Sequence, residues 1–137
     1  MSRPNHWPEL LADFIEERRG LPFSFTENNC GLFAADWLLA LLGVDVAADW
    51  RGLPSSFEVV RKIKAAGGAD TAFAVAASGN GWEEVAPSLA QRGDIMSTQT
   101  KHGAALGVCI GKAAAFMQKN GPGFVPLATC SRAWRIN

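Results

Sequence analysis

Residues 31–42 read GLFAADWLLALL, an almost unbroken apolar run in which Asp36 is the only charge. Helical spacing puts apolar side chains on every face of such a segment, so a helix here has to be buried between other elements. Asn28 or Asn29 supplies its cap and Gly43 its stop, which starts the helix near Cys30. The 137 residues suffice for one such central helix and the layers that cover it. That length is short for two domains, and we read residues 1–137 as a single one.

The elements around this helix follow from local signals. Residues 8–19 predict a first helix, with Pro8 in its first turn, Leu10, Leu11, Phe14 and Ile15 as its apolar stripe, and Gly20 closing it. Ser55 or Ser56 opens a third helix that runs to about Ala66, stops at Gly67-Gly68, and carries Phe57, Val60 and Ile63 or Lys64 as its inward stripe. Residues 72–77 are alanine-rich and do not choose between helix and strand, and Gly79-Asn80-Gly81 is a turn. From Asp94 onward the pattern predicts strands at 94–98, 105–110, 113–118, 124–127 and 133–136, separated by short turns. Helices first and a mostly antiparallel sheet after is an α+β arrangement. Phe33, Trp37, Phe57 and Trp134 fall on core-facing positions, whereas Trp7, Trp50 and Trp82 fall in loops or at element ends. There they suit a glycan-binding groove or a protein contact.

Thirteen basic residues balance thirteen acidic ones, which removes the electrostatic reason to expect nucleic-acid binding. No run reaches the ~18–20 apolar residues of a membrane-spanning helix. The N-terminal MSRPNHWPELL lacks the apolar core and small-residue cleavage site of a signal peptide. Cysteines at 30, 109 and 130 have no C-x-x-C spacing and form no disulfide framework, which fits synthesis in a reducing cytoplasm. A Cys30–Cys109–His102 metal site lacks a fourth ligand, so no metal or cofactor is expected.

The chemistry concentrates at Cys30. It ends the polar turn Thr26-Glu27-Asn28-Asn29-Cys30 and begins the buried helix, where the positive end of the helix dipole is expected to lower its pKa. A thiol nucleophile also needs an imidazole base and a polar group to orient that base. His6 has no motif behind it, so His102 is the candidate base and Gln118 the candidate orienting group. The alternative readings are a small buried cysteine, an exposed loop histidine and a polar strand end.

Several segments together carry a resemblance. Residues 22–37 read PFSFTENNCGLFAADW and are followed by Gly43-Val44-Asp45. They resemble the P-F-x-W-G-x-N-D-C-x-x-F-A-A-D-W pattern of a short branch of NlpC-type, papain-like cysteine peptidases carried by tailed phages and prophages. Gly93-Asp94-Ile95-Met96 is similar to the G-D-[IV]-[VM] strand of these proteins, and residues 106–111 to their V-G-I-Y-I-G strand. Residues 132–135 are similar to the branch's closing A-W-R. Phe25-Thr26 replaces an aromatic-glycine pair and Asn29 replaces an acid.

The resemblance implies a papain-like NlpC-type fold and a virion protein of the tail tip, made in the bacterial host cytoplasm. Its implied partners are the hub, the distal tail protein and the central fibre protein, and peptidoglycan for an active enzyme. The histidine base of active members falls on Ala105, three residues after His102. Strand alternation then sets His102 opposite to position 105 unless Gly103 makes a bulge, and it turns Cys109 toward the buried helix with position 105. The favoured expectation is therefore a degenerate peptidase fold with a structural task. Its rival is an active peptidoglycan endopeptidase that uses Cys30, His102 and Gln118. A host-side cytoplasmic amidase or thiol enzyme is a third class the composition permits.

Overall fold

The computed structural model describes residues 3–24 and 28–137, so Phe25 and, from the polar turn, Thr26 and Glu27 lie outside the described residues. Helix α1 spans Trp7–Arg18 and buries Leu11 and Phe14. Helix α2 spans Cys30–Leu42. The Asn29 side chain accepts the Leu32 N–H, and Gly43 ends the helix at φ 72, a left-handed conformation that glycine adopts without strain. Residues on several faces of α2 are buried, including Phe33, Trp37, Leu38 and Leu41. Its single charge is satisfied from two sides: Asp36 accepts Arg18 at 2.9 Å and Arg51 at 2.8 Å. Arg51 also holds Asp45 at 3.1 Å, which ties the residues after α2 back onto it.

Helix α3 spans Ser56–Ala65, with the Ser55 hydroxyl accepting the Glu58 N–H. Its inward residues are Val59, which is buried, and Ile63, which packs partly buried against the core. This corrects the expected stripe. Phe57 is 69% exposed, because two residues along a helix is a turn of roughly 200°, so a helix facing inward at Val59 faces outward at Phe57. The alanine-rich stretch is helical: α4 spans Ala69–Gly79 and buries Ala69, Phe73 and Ala77 at four-residue intervals. High alanine helix propensity and that one-sided spacing settle what periodicity left open.

Among the described residues six strands follow the four helices: β1 Glu84–Val85, β2 Ile95–Thr100, β3 Gly103–Cys109, β4 Ala113–Gln118, β5 Gly121–Pro126 and β6 Arg132–Trp134. They form one antiparallel sheet in the order β1-β6-β2-β3-β4-β5. Ile95, Leu106, Val108, Ala115, Met117 and Trp134 join the core built on α1, α2 and α4. Met96, Cys109, Ala114, Phe116 and Ala133 form a second cluster with Cys130 on the opposite face. Cys109 therefore points away from α2, which corrects the expectation that it lies near Cys30. The pairing of Ile95 with Val108 sends even-numbered β3 side chains toward the helices and odd-numbered ones outward.

The register is set by a bulge just before β2. Gly93, at φ 90, donates its N–H to the Cys109 carbonyl, while the Cys109 N–H donates to the Asp94 carbonyl, both at 2.8 Å. Two residues thus face one, the G1 type of β-bulge, which calls for glycine at its first position. The Arg3 guanidinium lies 2.8 Å from where a Cβ on Gly93 would sit.

The sheet's edges are guarded. In β5, alternation directs the N–H groups of even-numbered residues outward, and Pro122 and Pro126 have none to offer, which leaves only Phe124 as an outward donor. Trp82 stacks on Phe73 at 6.2 Å in the interior, Trp7 lies under Arg3 and Arg92, and Trp50 lies under Lys62. Among the described residues no helix is long and apolar enough to cross a membrane.

Candidate functional site

The approach to Cys30 is built from short local contacts. Ser24 and Asn28 exchange backbone hydrogen bonds at 3.2 and 3.0 Å, and the Asn28 side chain donates to the Pro22 carbonyl at 2.9 Å. Asn29 then caps α2, its Oδ1 accepting the Leu32 N–H at 2.8 Å, and Cys30 is the first helical residue. It lines one groove with Leu106 of β3 and Met117 of β4, beyond the point where β3 and β4 part.

That parting follows from the pairing. Strand β3 stays paired with β2 as far as Gly103, yet its ladder with β4 ends at Gly107 and Phe116. Cys109 exchanges its backbone groups with the bulge before β2, so those of Val108, Leu106 and Ala104 point toward β4. Beyond Gly107 they meet no strand among the described residues. The Leu106 amide instead lies near enough to Cys30 to favour its thiolate, as do the amides of Gly31 and of Cys30 itself. On the other side of the opening, the Lys119 carbonyl accepts the Phe23 N–H at 3.1 Å.

Those three amides favour a thiolate, but burial outweighs them and pushes the Cys30 thiol up. The structure thus corrects the expected lowering: a half-buried sulfur loses more solvation than the helix terminus returns. In the folded protein Cys30 is expected to react with iodoacetamide at pH 7 more slowly than free cysteine, with a rate still climbing above pH ~8.5. Mass spectrometry of the labelled peptide checks this, and a rate plateau below pH 7 would contradict it. The raised value also makes stability fall as pH rises from the unfolded thiol's value toward the folded one, because only the unfolded chain ionises there.

Cys30 opens into a groove of about 1250 Å³ between α2, α3, α4 and the β2–β3 hairpin. His102 and Gln118 line the same groove. His102 is exposed in the two-residue turn between β2 and β3, where its backbone N–H donates to the Thr100 hydroxyl at 3.1 Å. Among the described residues no hydrogen bond joins it to Cys30. Gln118 ends β4 with its carboxamide over Gly123, where any Cβ would collide with it. It shares parity with Ala114 and Phe116 of the outer cluster, so the carboxamide is turned away from the thiol. Ala105 packs partly buried against that outer cluster, and Leu106 is the neighbour that packs on the Cys30 side.

Among the described residues no three His, Cys, Asp or Glu side chains gather to hold a metal. Lys64 and Lys119 also line the groove; the sequence offered Lys64 only as an alternative to Ile63 on the inward stripe of α3 and did not mark Lys119. They share it because α3 and the β4–β5 turn both border the groove. A family described as Domain of unknown function (DUF6950) matches residues 2–136, nearly the whole chain. No curated protein matches the sequence.

Proposed function

Because the chain belongs to the DUF6950 family, described only as a domain of unknown function, we propose its role from its own site: a papain-like, NlpC-type scaffold whose thiol no longer carries out hydrolysis. One observation carries this reading. Burial pushes the Cys30 thiol up and, among the described residues, no imidazole is hydrogen-bonded to it, while the position that resembles the base of active NlpC-type peptidases is Ala105. A thiol peptidase needs the base within hydrogen-bond reach of the sulfur, at roughly 2.6–3.2 Å and looser in unliganded sites. The buried helix with Cys30 at its start, laid across an antiparallel sheet, supports the papain-like assignment.

By the resemblance of residues 22–37, 93–96, 106–111 and 132–135, the scaffold is a structural protein of the tail tip of a tailed phage or prophage. There it would join the hub, the distal tail protein and the central fibre protein. Particles carrying Cys30→Ala should assemble and infect as the parent does, whereas particles lacking the whole protein should not. Loss of infectivity in Cys30→Ala alone would end the structural reading.

A working endopeptidase is the second reading, and the common groove of Cys30 and His102 favours it. The hairpin turn that carries His102 would have to fold inward over the thiol. Release of stem peptides from purified peptidoglycan, lost in both Cys30→Ala and His102→Ala, is the result that would establish it.

A further inference from the structure

The groove of about 1250 Å³ exceeds the ~300–1,000 Å³ of most small-molecule pockets. Its walls are mostly apolar: Val59 and Ile63 from α3, Ala72 and Phe73 from α4, Leu106 and Met117 from the sheet. The ionisable groups along it are Cys30, Lys64, His102 and Lys119, with no carboxylate among the described lining residues. Apolar walls with cationic amines at the rim complement a ligand with an apolar body and a negative head.

Several polar groups along the groove are engaged already, although the backbone groups of Ala104 and Leu106 on the open edge of β3 meet no strand among the described residues. The Lys119 carbonyl takes the Phe23 N–H. The Asn29 oxygen caps α2, the Thr100 hydroxyl donates to the Gly103 carbonyl at 2.8 Å, and the Gln118 carboxamide is turned to the outer face. A peptide laid in the groove would have only the short open edge of β3 at Ala104 and Leu106 to pair with, whereas a hydrocarbon chain carries no groups that need partners.

We propose that the groove binds a single-chain anionic amphiphile, its unbranched chain along the walls of α3, α4 and β3 and its carboxylate at the Lys64 and Lys119 rim. The inference requires no chemistry at Cys30 and stands apart from both readings of the thiol.

Calorimetric titration of the folded chain with octanoate, decanoate and dodecanoate, each below its micellar concentration, tests it. Affinity should rise roughly tenfold with each added pair of methylenes. Dodecanoate should bind the Lys64→Gln, Lys119→Gln double variant about tenfold more weakly at low salt, while dodecanol binds both proteins alike within about twofold. Both lysines are exposed, so this variant keeps the fold. Ala72→Trp, which fills the groove, should abolish dodecanoate binding, with its thermal unfolding followed in parallel.

Affinity independent of chain length would overturn the proposal, as would equal binding of dodecyltrimethylammonium. Tighter binding of a blocked alternating Leu-Glu hexapeptide would show a peptide groove instead. Recruitment to phosphatidylglycerol vesicles without binding of monomeric dodecanoate would show a membrane-facing surface, and it too would overturn the proposal.

Discussion

Asp94→Ala is expected to lower the free energy of unfolding by about 3–5 kcal/mol, a large part of the ~5–15 kcal/mol that keeps a domain of this size folded. Asp94 is fully buried and accepts three hydrogen bonds, from the Arg3 guanidinium at 2.9 Å, the Ile136 N–H at 3.0 Å and the Gln91 N–H at 2.8 Å. Arg3 in turn donates to the Ile136 and Arg92 carbonyls and lies over the Trp7 ring. One carboxylate thus fastens the first described residues and the C-terminal strand to the bulge before β2. Without it a desolvated guanidinium and two backbone N–H groups lose their partner together. Urea unfolding measures the loss. Arg3→Ala in the Asp94→Ala background should then cost little more, because the pair acts as a unit. A loss below 1 kcal/mol would mean that solvent reaches the site and replaces the carboxylate.

Trp37→Ala should cost a similar 3–5 kcal/mol, the range for truncating a large buried aromatic side chain. Trp37 is fully buried in α2, packs on Phe14 with ring centroids 5.6 Å apart, and donates its indole N–H to the Gly93 carbonyl at 2.8 Å. Trp37→Phe separates the two contributions. It keeps most of the packing and leaves the Gly93 carbonyl unpaired, for an expected 1–3 kcal/mol. Since Trp37 and Asp94 both hold the 93–94 bulge, the double variant should lose at least about 1 kcal/mol less than the sum of the single losses. Strict additivity in guanidinium unfolding would show that the bulge does not couple them.

Much of the helical layer was legible in the sequence because its signals are local. Asn29 and Gly43 end α2 by capping chemistry that depends on a few neighbouring residues, and Ser55 does the same for α3. The inward face of α3 was misread at Phe57 because a short helix carries apolar residues on two sides, and only its neighbours decide which side is covered. Strand β1 escaped notice since two residues, Glu84 and Val85, carry no periodicity and become a strand only by pairing with β6. Gly93-Asp94 stood out as a motif, yet its meaning as a bulge depends on Cys109 fifteen residues later.

The thiol site divides the same way. The sequence alone determined that Cys30 begins a buried helix, since an all-apolar segment with a cap and a stop has no other stable place. It also determined that Ala105 carries no base. The tertiary structure decided the state of the sulfur, because desolvation depends on what surrounds it, and the N–H groups that oppose desolvation come partly from β3. It likewise decided which β3 residues face that sulfur, because a one-residue shift at the Gly93 bulge exchanges the two faces of the sheet. Local chemistry writes caps, stops and helices into the chain. Register, burial and the groove arise from contacts between residues far apart in it.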